Sequence, residues 1–373
     1  MNTQHAVITQ EMVDDVRRRI GVPHTPTTPF FNTEASRDTI RHFTDAVGDP
    51  NPLYRDDAYA RQTRHGTIIA PPCFLYSVCW ATGRVGFPGI HAWNSGSDWE
   101  WFLPIRLGDQ LSYTTTLTDL KEKRSEMSGR IFIEYMRVDY QNQHGALVGT
   151  CTGWSVRAER QASGERGKYR HIDKARYTRE QLEAIWADYD REDIRGGNPR
   201  YWEDVNVGDE LTPVVKGPLS MRDLITWVMG AGTLYMRAHR FALAFERRHP
   251  SVAMIDSQSG QTDVPELVHM EESRAQEIGI PGAYDYGCQR SSWLGHLLTN
   301  WMGDDGFLRK LYVELRRFNV VGDTTWCKGK VTRKFVENGE HLVDVDVWAE
   351  NQRGEVTAPG RAVVRLPMKS TSQ

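Results

Sequence analysis

The sequence predicts an α+β protein built from two copies of one unit, each an antiparallel sheet covered by helices. Three observations carry this. The stretches "LYRDDAYA" (53–60) and "VHMEESRA" (268–275) align at a constant offset of 215 residues, which sets Tyr54 on His269, Asp56 on Glu271, Asp57 on Glu272 and Ala60 on Ala275. The same offset carries Cys73 to Cys288 and Ser77 to Ser292. Flanking echoes keep their order: "SRDTIRHFTDAVGD" (36–49) with "MRDLITWVMGAGT" (221–233), "RLGDQL" (106–111) with "VVGDTT" (320–325), and "NQHGALVGTCTGWSVR" (142–157) with "NQRGEVTAPGRAVVR" (351–365). Ordered self-similarity of this kind marks a tandem duplication.

In each copy an Arg-Asp pair opens a helix whose apolar residues recur at helical spacing. A polar turn follows, then a longer apolar helix, read at "CFLYSVCWATG" (73–83) and "SWLGHLLTNWMG" (292–303). Strands come last. The clearest, 341–350, puts Val343, Val345, Val347 and Ala349 on one face and Asp344, Asp346, Trp348 and Glu350 on the other. The turn "NQRG" then folds it into a hairpin. A sheet with one apolar face needs a helix to cover it. The units read as 1–156 and 199–368, joined by 157–198: a polar, basic linker (157–178), then the helix "REQLEAIWADYDRED". The second unit carries an insertion near 233–260, too apolar and aromatic for disorder.

Composition narrows the class. The 46 Lys+Arg against 49 Asp+Glu give no reason to expect nucleic acid or an anionic membrane as partner. Five cysteines with no paired spacing argue against a disulfide framework and a zinc site, and fit a reducing cytoplasm. No apolar run approaches a membrane span, and the N-terminal stretch lacks the order of a signal peptide, so a soluble cytoplasmic protein is expected. The histidines are dispersed without ligand spacing, so no metal is expected. Nucleotide-binding glycine motifs and the serine-esterase elbow are absent.

The motif "GDPNPLYRDDAYA" (48–60) resembles the hydratase-2 motif of MaoC-like enoyl-CoA hydratases, in which Asp, Asn, Pro and His precede an acidic residue and Ala. "IIAPPCFL" (68–75) is similar to the fatty-acid-synthase-type dehydratase variant of that family, and "PGAYDYGCQR" and "RRFNVVGD" to its second half. The resemblance spans both copies. It implies a double hotdog fold, in which each curled sheet wraps a long helix. It further implies (R)-specific hydration of a 2-enoyl-CoA, or dehydration of a 3-hydroxyacyl-CoA, in fatty acid metabolism. No cofactor is implied beyond the coenzyme A of the substrate itself.

Within the family the motif's His and Asp flank a water. A backbone N–H of a Gly eighteen residues after the His polarises the thioester carbonyl. Carried onto this chain, His269 is the proton-transfer residue, Asp263 the water-orienting carboxylate and Gly287 the oxyanion donor. The chemistry suits these types: imidazole transfers protons near neutrality, and an N–H at a helix N-terminus is fixed in place and aided by the helix dipole. One such donor is worth on the order of 3 kcal/mol. Asp263 lies six residues before His269, where the family spacing is five, and Val264 holds the expected place; Glu266, Glu271 and Asp256 are alternative carboxylates. In the first copy Asp49 is kept, but Tyr54 replaces the His and Pro72, which has no N–H, falls at the oxyanion position. That copy is expected to be a structural partner. Asp49, Asn51 and Tyr54 either line the substrate channel or, for the first two, merely organise the turn.

Tyr286 beside Gly287, and Arg290, Arg316 and Arg317, are the expected substrate-binding residues, the arginines as phosphate partners at the pocket rim. Tyr235, Arg237, His239 and Arg240 of the insertion are expected around the acyl group. The tryptophans read as core, although "HAWNSGSDWEWF" (91–102) is dense enough to line a cavity. Half-exposed sheets and the resemblance favour self-association, as a homodimer or larger homo-oligomer. The Asp-to-His spacing keeps two other readings open: a hotdog acyl-CoA thioesterase, and a non-catalytic acyl-CoA-binding protein.

Overall fold

Alternating burial defines the long strands, and ten of the strands form one continuous sheet. The computed structural model describes residues 7–82, 86–125, 129–158, 173–250, 252–255 and 259–369. Most of the segment read as a linker (159–172), and Asp256, lie outside the described residues. The first copy supplies β1 (Pro23–His24), β2 (Ile69–Ala70), β3 (His91–Trp101), β4 (Ile105–Arg106), β5 (Ser112–Ser125), β6 (Gly129–Gln141) and β7 (Leu147–Ala158). The second supplies β8 (Glu210–Lys216), β9 (Met254–Ile255), β10 (Thr262–Asp263), β11 (Phe307–Glu314), β12 (Thr325–Glu337), β13 (Glu340–Asn351) and β14 (Val356–Arg365). The main sheet runs β1-β5-β6-β7-β3-β11-β14-β13-β12-β8, while β2 with β4 and β9 with β10 form separate short ladders. The copies thus join edge to edge through antiparallel β3 and β11, with Trp99 opposite Leu311. In β13, Val343, Val345, Val347 and Ala349 are all buried, as their alternation requires.

Eight helices are described: α1 (Gln10–Arg18), α2 (Arg37–Val47), α3 (Asp57–Gln62), α4 (Arg179–Asp190), α5 (Met221–Ala231), α6 (Arg240–Arg248), α7 (Glu272–Glu277) and α8 (Gly287–Met302). None is long and apolar enough to cross a membrane. A capping box of Ser36 with Thr39 starts α2, and Gly48, in the left-handed region at φ 71°, ends it. Helix α5 is its counterpart. The two pack together so closely that a Cβ on Gly230 would come within 2.4 Å of the His42 carbonyl oxygen. The short helices α3 and α7 begin and end at positions one repeat offset apart.

Helix α8 is the centre of the molecule. Every residue from Cys288 to Met302 is buried, as in a helix enclosed on all sides. It packs against β8, β11, β12 and β13 of its own copy and β3 of the other. The first copy departs from expectation here. Where "CFLYSVCWATG" predicts a long helix, a 3-10 segment covers only Pro72–Ser77. It crosses α8 at Gly295, where an added Cβ would lie 2.8 Å from Cys73 Sγ. The chain then runs tight against β7: a Cβ at Gly153 would sit 1.7 Å from the Ala81 carbonyl oxygen. That close approach to the sheet takes the place of a continued helix.

Candidate active site

Two 3-10 turns at equivalent places position the two motif residues. Pro52–Tyr54 ends on Tyr54 and Pro265–His269 ends on His269. Around His269 opens a cavity of about 310 Å³ lined from both copies. The second copy contributes His269, Tyr284 to Cys288, Arg290 and Leu315 to Phe318; the first contributes Trp80, Thr82, Ala92 to Ser95, Ser155 and Val156.

His269 Nδ1 is 3.0 Å from the Tyr284 carbonyl oxygen. A carbonyl only accepts, so Nδ1 carries a proton, and whenever the ring is neutral Nε2 is its basic nitrogen. The ring is held by aromatic contacts, stacked on Tyr286 at 3.9 Å between centroids and tilted against Tyr284 at 4.3 Å. Gly287 is the first residue of α8, so its N–H belongs to the turn that has no partner within the helix. Any side chain here would collide: an added Cβ lies 2.3 Å from Leu315 Cδ1 and 3.0 Å from Asn94 Nδ2. Glycine lets the backbone meet the cavity directly.

The other expected residues separate into groups. Tyr286 lines the cavity beside His269. Arg316 and Arg317 are at its mouth, exposed and each paired to a carboxylate: Arg316 with Glu314 at 2.6 Å, Arg317 with Glu355 at 3.1 Å. Arg290 lines the wall but is not a rim group. It is buried, with Nε donating to Asp285 at 2.8 Å, Nη2 to the other Asp285 oxygen, and Nη1 to the carbonyls of Arg317 at 2.6 Å and Thr357 at 3.3 Å. A guanidinium saturated in this way organises the site instead of reaching a phosphate. Burial pushes the Asp285 carboxyl up against the pull of Arg290.

Asp263 is not brought to the cavity. It sits on the β9–β10 ladder, pairs with Met254 in register, and its Oδ1 accepts the Val264 N–H at 2.8 Å. The insertion carries this ladder, so the extra chain draws Asp263 into its own turn. Glu266 is the buried carboxylate of the motif, 3% exposed, at the position equivalent to Asn51. It stands three residues before His269 on a 3-10 turn, where side chains three apart share a face. Its Oε1 accepts the Thr233 hydroxyl at 2.6 Å. Tyr235, Arg237, His239 and Arg240 do not line the cavity around His269.

The equivalent place in the first copy is nearly filled. A cavity of about 40 Å³ remains among Asn51, Tyr54, Pro72, Trp101 and Thr299. Tyr54 is buried, its hydroxyl bonded to Thr299, and burial raises its pKa well above the usual phenol value. Asp49 Oδ1 accepts the Asn51 N–H at 3.0 Å and Asn51 Oδ1 the Leu53 N–H at 3.0 Å. Asp49 and Asn51 therefore organise the turn.

A family model described as the FAS1-like dehydratase domain region matches residues 20–151. A UPF0336 protein of Streptomyces coelicolor is 31% identical over 150 residues, covering 38% of this chain and 93% of the relative. The chain belongs to the UPF0336 family. A MaoC-like dehydratase of solved structure superposes with a TM-score of 0.66 at 20% identity, over 94% of this chain and all of that one. A double-hotdog protein of Mycobacterium tuberculosis does so at 0.59 and 10%, over 93% and 96%. A probable enoyl-CoA hydratase alpha subunit of Thermomonospora curvata is 25% identical over 135 residues, 30% of this chain and 41% of that one. As in the Mycobacterium tuberculosis protein, the fold here is a double hotdog. The Streptomyces relative spans little more than a third of it.

Proposed function

We propose that this MaoC-like chain is an (R)-specific hydro-lyase that interconverts a 2-enoyl-CoA and the corresponding 3-hydroxyacyl-CoA. The observation that carries the reading is the convergence of His269 and the Gly287 N–H on one cavity. In hydration, Nε2 of His269 takes a proton from water as the water oxygen bonds to C3. The C2–C3 π electrons move toward the thioester carbonyl, and its oxygen is held by the Gly287 amide at the head of α8. The imidazolium then returns its proton to C2, giving net addition of one water. Glu266, on the same face of the turn as His269, is the carboxylate that supports this imidazole; like Asp263, it does not itself line the cavity. Asp263 is not assigned that role.

The test is hydration of a panel of trans-2-enoyl-CoAs, followed by loss of the conjugated thioester's ultraviolet absorbance. Turnover that vanishes in His269→Ala supports the reading; full retention overturns it. The position of Asp263 outside the cavity favours one rival, an acyl-CoA binder without turnover, which the same panel would reveal as binding with unchanged absorbance.

A further inference from the structure

We propose that Asn94, supplied by the first copy, is a second donor to the thioester carbonyl and completes the oxyanion hole opened by Gly287. This rests on the reading of the cavity as a thioester site. Asn94 lines that cavity from β3, a strand of the copy whose own site has closed.

The backbone explains why its side chain points there. Pairing of β3 with β7 shifts register between Asn94 and Gly96, leaving Ser95 as the extra residue of a bulge. Bulges re-aim side chains, and they recur beside active sites. Gly96 is required at this point: at φ 157° an added Cβ would lie 2.1 Å from Trp154 Cζ2 and 2.5 Å from the Val313 carbonyl oxygen. The strand continues across to the second copy through the Leu315 N–H, which donates to the Ser95 carbonyl at 2.9 Å.

The bulge also fixes which end of the carboxamide meets α8. The Gly96 N–H needs an acceptor and finds Asn94 Oδ1 at 3.2 Å. The NH2 end is thereby turned toward the helix, with Nδ2 at 3.5 Å from Cys288 Sγ. A thiol sulfur is a weak acceptor and a carboxamide has two N–H bonds, so donor capacity remains. Nδ2 lies 3.0 Å from the point where a Cβ of Gly287 would stand, so it is held against the residue that opens α8. Two donors held by separate elements, one by a helix and one by a strand bulge, give a carbonyl oxygen a fixed pair of partners. The first copy thus contributes to the chemistry of the second.

Two variants separate donor from scaffold. Asn94→Asp keeps an oxygen for the Gly96 N–H but removes the NH2; Asn94→Ala removes both. The readouts are hydration kinetics and the spectrum of bound 4-dimethylaminocinnamoyl-CoA, whose absorbance moves to the red when its carbonyl oxygen accepts hydrogen bonds. The expected result is a red shift in wild type and in His269→Ala, largely lost in both Asn94 variants. The expected kinetic effect is a kcat reduced roughly 100-fold in Asn94→Asp, with KM little changed. Retention of both shift and kcat in Asn94→Asp, with loss only in Asn94→Ala, would make Asn94 a scaffold residue and overturn the proposal. So would a wild type that binds the probe without a shift or does not bind it. If wild type hydrates no enoyl-CoA, the hydratase reading fails alone, because the spectral comparison still decides Asn94.

Discussion

Lys216 Nζ lies 2.8 Å from His296 Nδ1, and the same group donates to the carbonyls of Val47 at 2.9 Å and Gly48 at 3.2 Å. His296 Nε2 in turn is 2.9 Å from Glu192 and 3.5 Å from Asp49. One buried polar chain therefore crosses from β8 and α8 of the second copy to the end of α2 in the first. Burial lowers the Lys216 pKa, opposed chiefly by Glu192.

Lys216→Met is expected to destabilise the fold. It leaves one buried and one half-buried carbonyl, an imidazole nitrogen and two carboxylates without their cation. Breaking a buried charge network in this way costs about 3 kcal/mol or more. Urea denaturation of the two proteins measures it, and a difference under about 1 kcal/mol would show that the chain is not a structural tie.

Glu192 gives this network a pH signature. Burial pushes its carboxyl up, but the hydrogen bond from His296 and the charge of Lys216 outweigh that and hold it below the usual carboxylate value of 4.5. A carboxyl lowered on folding contributes stability that is fully present above its unfolded pKa and lost as pH falls through the folded one. The acid arm of the stability curve below pH 4.5 should therefore flatten in Glu192→Gln. Melting temperatures recorded down the acid range would expose parallel arms if Glu192 were uninvolved.

The two candidate carboxylates should separate sharply. Asp263→Asn is expected to keep kcat within about twofold, because the group faces its own turn. Glu266→Gln preserves an oxygen for Thr233 yet removes the carboxylate three residues before His269, and should lower kcat by roughly 100-fold or more. The reverse ranking in enoyl-CoA hydration would return Asp263 to the site.

Arginines of the cavity should divide by burial. Arg290→Met strands Asp285 without its partner and should cost about 3 kcal/mol of stability. Arg316→Ala and Arg317→Ala should leave stability unchanged and raise KM for the acyl-CoA roughly fivefold each, about 1 kcal/mol. The KM effect should shrink at high salt, since exposed charges are screened. A KM that does not respond to either exposed arginine would place the coenzyme elsewhere.

Much of this arrangement was readable in the chain because duplication exposes it. The repeat offset that aligned Tyr54 with His269 also sets the limits of α3 and α7 and the starts of Pro72–Ser77 and α8. The alternation in β13 told its buried face for the same reason that any half-buried strand does. What failed was tertiary in origin. The apolar run after Pro72 has helix-like content, yet its path is set by close approach to α8 and β7. Asp263 matched a motif by type, but the insertion governs its direction. Arg290 could not be told from a rim arginine, because Asp285, five residues earlier, is its partner only once α8 is folded. Asn94 did leave a trace: Gly96 inside a strand pattern signals a bulge, and the residue before a bulge is worth following into the structure.

The seam between β3 and β11 has a further meaning. Where two identical chains form such a sheet, each substitution enters twice, and a site lost in one is lost in both. Here both sides of the seam are written in one chain, so each can change alone. The closure of the pocket around Tyr54 and the opening of the one around His269 are what that freedom permits: an ancestral symmetry broken without breaking the sheet.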